Sequence, residues 1–342
     1  MTLYGTINDA DTATNCGKYA TVLPCHMLVN CCRTGVAIPR NLQFEQTISG
    51  TVEFSGVGLH SGAPVHLRLL PAPPGAGILF RRTDLDGFEI SAIGRNVAKV
   101  SYATSLMRQG VLISTTEHLL SALIGYGVDN VIIELDNLEL PILDGSALPY
   151  VEAFQSVGLK TQRRRREIIR IRKTIEVHDN SKFIAVYPGE GYSVSYAIDF
   201  PAPIGKQCFQ LDLNTGAYAS ELAGARTFGF REDEIMLRNM GLIRGASEEN
   251  AIILTRQGVQ NGPLRFPNEF VRHKVLDLIG DLALAGRRIQ GHVVAERAGH
   301  AMHTALVSRL MQDRSAWELV HLPAETEGDS LPPHLVATPL SA

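Results

Sequence analysis

The segment His273-Lys274-Val275-Leu276-Asp277-Leu278-Ile279-Gly280-Asp281 sets an imidazole and two carboxylates at intervals of four residues. On a helix this spacing projects His273, Asp277 and Asp281 from one face, while Val275, Leu276, Leu278, Ile279 and Leu282 cover the other side. A histidine and a carboxylate one turn apart meet over the intervening turn and can ligate one zinc ion. The same pair also occurs as a charge-assisted contact on a solvated face, and spacing alone leaves both readings open. Glu117-His118 offers what such a zinc site lacks, a second imidazole and an uncoordinated carboxylate. Ser114-Thr115-Thr116-Glu117 is at the same time a capping-box pattern with Glu117 as the N3 partner of Ser114, and the two roles are compatible. His300, between Gly299 and Ala301, begins another helical pattern and reads either as a further functional imidazole or as an exposed cap-region histidine.

The elements that must position these groups follow from periodicity. Gln46 to Phe54, Val65 to Leu70 and Gly77 to Arg82 predict short strands separated by Gly and Pro. A helix then carries Leu119, Leu120 and Leu123 on its apolar face, followed by a buried strand from Asn130 to Leu135 and a second helix from Pro149 to Val157. Strands are expected again at Ile168 to Val177, Phe183 to Tyr187, Tyr192 to Phe200 and Gln207 to Leu213, and helices at Glu221 to Met240, Asn268 to Ala285 and His300 to Met311. Two blocks of strands followed by helices predict an α+β fold of two successive units with the active site between them, not a parallel βαβ protein. The boundaries expected are an extension over 1–42, a first unit over 43–160, a linker over 161–167, a second unit over 168–315 and a tail over 316–342. Arg163 to Arg166 lie in that linker and read as a solvated charge run, with a nucleic-acid patch as the sharper alternative.

With 342 residues, 32 Lys and Arg against 35 Asp and Glu, and 45% hydrophobic residues, the chain has an ordinary globular composition and a net charge of −3. That balance argues against a general nucleic-acid binder, and no apolar run reaches the roughly 18 residues that a bilayer span requires. Four of the five cysteines, Cys16, Cys25, Cys31 and Cys32, precede the first predicted strand, so the main fold is not expected to depend on disulfides. The opening segment lacks a signal peptide's basic start and clean apolar core, and a reducing cytoplasm is the expected compartment. Cys25, His26, Cys31 and Cys32 match no common zinc-finger spacing. A G-x-S-x-G elbow, a Walker loop and an H-E-x-x-H helix are absent, and Gly56-Val57-Gly58 continues into Ser61 and Pro64 rather than into a dinucleotide-binding helix.

From about Gln46 to Met311 the chain resembles the UDP-3-O-acyl-N-acetylglucosamine deacetylases, zinc amidases that commit bacteria to lipid A synthesis. Seven ordered segments carry the resemblance: Gly56 to Gly62, Phe80 to Asp84, Ser114 to Leu119, Pro141 to Ala147, Ala225 to Phe230, His273 to Asp281 and Gly299-His300-Ala301. Residue by residue it implies zinc held by His118, His273 and Asp277, Glu117 as general base and His300 as the second catalytic group. It further implies that Thr227 assists the oxyanion and that Lys274, Phe228 and Asp233 face the substrate, with His60 of the first segment counted among these contacts. Tyr102 to Ser105 departs from the family in a loop that lines its active site, and the first 40 or so residues have no counterpart.

Two imidazoles and a carboxylate leave Zn²⁺ with a net charge of +1 and an open position, the composition of a hydrolytic site. Asp281 is expected to hold His300 as an imidazolium by raising its pKa. The implied reaction converts UDP-3-O-(3-hydroxyacyl)-N-acetylglucosamine and water into the free amine and acetate. For the acyl chain the candidate channel is Leu237 to Leu254, whose apolar residues also suit a plain core strand and helix. A monomer with no nucleic-acid partner is expected. The alternatives are a zinc amidase for a non-lipid acetylated sugar and a non-catalytic protein with a structural metal.

Overall fold

A computed structural model describes residues 43–98 and 102–321. The expectations attached to Cys16, Cys25, Cys31 and Cys32 lie outside the described residues. Along Pro64–Pro71 the side chains of Val65, Leu67 and Leu69 are buried while His66 and Arg68 face solvent, the period-two pattern of a strand with one wet face. This strand belongs to a five-stranded sheet in the order Val52–Val57, Pro64–Pro71, Val131–Leu135, Ile78–Arg82, Phe88–Ser91. The pairing of Ile78–Arg82 with Val131–Leu135 is parallel and the others are antiparallel.

A second, seven-stranded sheet is built around Arg288–Glu296, which pairs with Lys182–Tyr187, Glu167–Ile171 and Tyr192–Asp199. Its remaining strands are Ile175–Asp179, Lys206–Asp212 and Trp317–His321. Six helices complete the mixed α+β fold among the described residues: α1 (Glu117–Tyr126), α2 (Leu148–Val157), α3 (Tyr218–Glu221), α4 (Glu234–Asn239), α5 (Glu269–Leu282) and α6 (His300–Gln312). Helix α2 packs on the first sheet, α5 and α6 pack on the second, and α1 lies against α5. Both sheets and these helices share one continuous apolar core.

The contact between α1 and α5 positions the site. Gly280 faces the start of α1 so closely that a Cβ there would collide with the Glu117 carbonyl. Helix α1 itself stops at Gly127, whose φ of 107° an L side chain rarely adopts and whose N–H closes on the Leu123 carbonyl.

Several local expectations change. Gln46 to Phe54 is not one strand: it breaks at Ser49-Gly50 into Phe44–Ile48 and Val52–Val57, which join different sheets. The expected linker is largely strand, because Leu159–Arg165 pairs antiparallel with Phe44–Ile48 and backbone ladder bonds need no apolar periodicity. Nor is Arg166 solvated; it is buried and grips both Asp129 oxygens at 2.8 and 2.6 Å. Glu221 to Met240 is interrupted by the strand Phe228–Phe230. Residues 317–321 of the expected tail belong to the fold, since Trp317–His321 closes an edge of the second sheet with the Trp317 indole donating to the Leu310 carbonyl. The capping box does not form: α1 starts at Glu117, and the Ser114 hydroxyl meets Ser105 instead.

Candidate active site

Helix α5 is buried on nearly every side, so its polar residues cannot rely on water. His273, Asp277 and Asp281 are 2%, 1% and 0% exposed, which removes the solvated-face reading of their spacing. Helix α1 brings His118 to the same place, and the ligand atoms of His118, His273 and Asp277 lie within 4.8 Å of one another. Asp277 Oδ1 is 3.6 Å from His118 Nε2 and 3.3 Å from His273 Nε2.

The proton count at this point is decisive for what the group can hold. His273 Nδ1 sits 3.1 Å from the Ala225 carbonyl, which only accepts, so Nδ1 carries the proton and Nε2 presents a lone pair. Lys274 Nζ donates to Asp277 Oδ2 at 2.8 Å, leaving Oδ1 buried without a hydrogen bond. Burial drives the His273 imidazolium down to about 3, Asp277 offsetting only part of that effect. Burial opposes the Asp277 charge as well, yet His273 and Lys274 hold its carboxyl well below the ordinary range. Convergent lone pairs on neutral nitrogen and anionic oxygen repel one another and suit a shared cation.

Glu117 and His300 flank this group. Glu117 Oε2 accepts from the Thr104 backbone N–H at 3.0 Å, while Oε1 lies 4.0 Å from His300 Nε2. Burial raises the Glu117 pKa, against the pull of His300 and His118. His300 Nδ1 donates to Asp281 Oδ2 at 2.8 Å. Burial disfavours its charge, but Asp281, with Asp277 and Glu117 behind it, outweighs that cost and lifts the imidazole to about 9. The exposed-cap reading of His300 therefore does not hold.

A cavity of about 280 Å³ opens beside the group. Thr227, Phe228 and His60 line it together with Leu237, Ile243, Ala251, Ile252 and Ile253 from the expected channel segment. The segment is mixed: Ile252 and Leu254 are fully buried in the core, whereas Met240, and Ile235 just before the segment, are 58% and 75% exposed. The Thr227 backbone bridges Gly145 and Ile252, leaving its hydroxyl uncommitted. Both ring nitrogens of His60 are buried and unpartnered, and burial lowers its pKa. Lys274 lies 5.4 Å from the Phe228 ring centre. Asp233, in the turn Arg231–Asp233, is half-buried and is not among the cavity-lining residues.

Comparison with known proteins decides the family. Residues 45–312 match the model of the family described as UDP-3-O-acyl N-acetylglycosamine deacetylase. The chain belongs to this deacetylase family. It is 56% identical over 280 residues to the UDP-3-O-acyl-N-acetylglucosamine deacetylase of Solibacter usitatus (strain Ellin6076), covering 82% of this chain and 95% of that protein. The protein of the same name from Myxococcus xanthus (strain DK1622) is 46% identical, covering 81% of this chain and 89% of its own length. That of Xanthomonas oryzae pv. oryzae (strain PXO99A) is 45% identical over 87% of this chain and 99% of its own.

Sequence reading overlooked three side chains in this deacetylase-family site. The Thr104 hydroxyl donates to Asp281 Oδ1 at 2.5 Å across 177 residues, and no local pattern announces such a contact. Glu139 accepts from the backbone N–H groups of His60 and Ser61 at 2.8 and 2.7 Å and from Thr115, fixing the turn that carries His60. His303 donates Nδ1 to Asp281 Oδ2 at 2.8 Å. Its spacing of three from His300 on α6 was the one legible signal.

Proposed function

We propose that the protein hydrolyses the N-acetyl group of UDP-3-O-acyl-N-acetylglucosamine with zinc held by His118, His273 and Asp277. The observation that carries this reading is Asp277 Oδ1, buried, without a hydrogen bond and facing two imidazole nitrogens. The donor set fits Zn²⁺, with two nitrogens and one carboxylate oxygen, and the zinc when bound supplies Lewis acidity and a lowered water pKa.

The chain's own groups do the rest. Glu117 keeps Oε1 free because Thr104 occupies Oε2, so Oε1 takes the proton of the attacking water as general base. The uncommitted Thr227 hydroxyl donates to the oxygen on which negative charge develops. His300 spends Nδ1 on Asp281 and so presents Nε2–H to the nitrogen of the departing sugar amine. Desolvation by the surrounding core strengthens each of these interactions. His60 and Phe228 of the cavity wall, with Lys274 over the Phe228 ring, are assigned to the sugar nucleotide, and the apolar wall from Leu237 to Ile253 to the acyl chain. Asp233, outside the cavity wall, is kept as a more distant substrate contact reached as the nucleotide extends beyond it.

Metal analysis combined with acetate release tests the reading. The purified protein is expected to hold one zinc, to lose turnover on chelation and to regain it with Zn²⁺. Full activity without metal would refute the mechanism. The acylated UDP-sugar should be cleaved far faster than its 3-hydroxyl analogue; equal rates would instead favour an amidase for non-lipid sugars.

A further inference from the structure

The two clusters of ligand-type residues among the described residues differ in their hydrogen-bond accounting. His118, His273 and Asp277 leave an acceptor bare, whereas in the second group, Asp281, His300 and His303, both Asp281 oxygens and both His303 nitrogens have partners and only Nε2 of His300 is left to point outward. Asp281 is fully buried and accepts three side-chain bonds: Thr104 on Oδ1 at 2.5 Å, and His300 and His303 on Oδ2 at 2.8 Å each. A carboxylate with a single donor can rotate about its terminal bond and redirect its lone pairs. His300 is the group to be oriented and cannot fix its own support; Thr104 on Oδ1 and His303 on Oδ2 are the two independent donors that together remove that freedom, and without His303 only Thr104 remains.

His303 is built to remain where it is. The ring is 0% exposed, Nδ1 is committed to Asp281, and Nε2 lies 3.1 Å from the Tyr196 hydroxyl. The Tyr196 hydroxyl also lies 2.7 Å from the Ala298 carbonyl, so its one proton is shared between that oxygen and the accepting Nε2 of His303, which ties both rings to the turn preceding α6. Neither nitrogen of His303 faces the cavity or the ligand group, so it has no contact with reacting atoms.

We propose that His303, anchored by Tyr196, is a positioning residue that fixes the Asp281 carboxylate and through it the direction in which His300 presents Nε2. This assignment rests on the role given above to His300. It concerns orientation and not substrate affinity, so it separates kcat from KM.

The discriminating fact is that the side-chain nitrogen of asparagine occupies the same δ position as Nδ1 of histidine. His303→Asn therefore retains the donor to Asp281, while His303→Leu fills the space without one. In the zinc-loaded protein, His303→Leu is expected to lower kcat roughly 10- to 100-fold, the usual cost of losing a supporting partner. KM and zinc content should stay near wild type. His303→Asn should recover most of the rate. The His300 Nδ1–H proton, shifted downfield by its bond to Asp281, should be observed by NMR in wild type and His303→Asn and be lost to exchange in His303→Leu. An unchanged rate or an unchanged His300 signal in His303→Leu would overturn the inference, as would an asparagine variant no better than the leucine one. If His303→Leu does not fold, Tyr196→Phe decides, since it removes only a hydroxyl: a reduced kcat at constant KM supports the inference, and unchanged rate and signal overturn it. A wild-type protein that holds zinc yet does not hydrolyse the acylated UDP-sugar would instead refute the proposed function and leave the NMR comparison standing.

Discussion

At the scale of residues, the site separates groups by the charge each environment favours. Burial alone pushes His273 to its neutral form and Glu117 toward its neutral form, while Asp281 keeps His300 charged. The proposed base must be ionised and the proposed acid protonated. The rate kcat/KM is therefore expected to rise with pH as Glu117 ionises and to fall as His300 loses its proton. A cation in the ligand group offsets the share of that field due to Asp277, so the alkaline limb should lie at or below about 9. Glu117→Gln should retain zinc, lose about 10²- to 10⁴-fold in rate and lose the acid limb. Loss of zinc from this variant would make Glu117 a ligand and refute its role as base. In His300→Gln the alkaline limb should vanish while the acid limb stays.

At the scale of elements, catalysis depends on the closeness of two helices that are distant in sequence. Gly280 lets α5 approach the first turn of α1 to backbone contact, which is what carries His273 and Asp277 to His118. A methyl group at 280 must displace backbone and not a flexible side chain. Gly280→Ala is accordingly expected to cost about 1–3 kcal/mol of stability by overpacking. It should also weaken zinc binding, because separating the helices opens the ligand group. Thermal melts with and without Zn²⁺ measure both effects, and a variant with wild-type Tm and zinc affinity would show that the contact is slack. The short helix α4 presents the contrasting case, an element with exposed apolar side chains at the rim of a cavity.

At the scale of the whole molecule, the family match begins at residue 45 and ends at 312, and every residue assigned a role lies within it. The strand Phe44–Ile48 nevertheless pairs with Leu159–Arg165, and Trp317–His321 pairs with Glu167–Ile171, so folding needs somewhat more than the matched span. A chain beginning at Pro39 keeps both strands. It is expected to fold, bind zinc and turn over like the full protein, since it removes none of the buried pairings described. A truncated protein that is insoluble, or that holds zinc but has lost most of its activity, would assign the N-terminal residues a part in the enzyme. No described helix is long and apolar enough to cross a membrane.

Residue type and period sufficed for whatever is local. The fourfold spacing of His273, Asp277 and Asp281 marked a helix face, adjacent Glu117-His118 marked a second donor pair, and alternating Val65, Leu67 and Leu69 marked a strand. Each depends only on 3.6- or 2-residue geometry along the chain. Tertiary structure alone decided which donors meet. The capping box failed because Glu117 was claimed by the Thr104 backbone and α1 began two residues later than the box requires. The arginine run became a strand because its partner, Phe44–Ile48, lies more than a hundred residues upstream. Thr104, Tyr196 and Glu139 carry no periodic signal, since a single hydrogen bond across the fold constrains position in space and leaves no pattern in neighbouring residues. Desolvation is likewise a property of the packed core: the same histidine and carboxylate letters describe a solvated ion pair or a cation site until the surrounding chain excludes water.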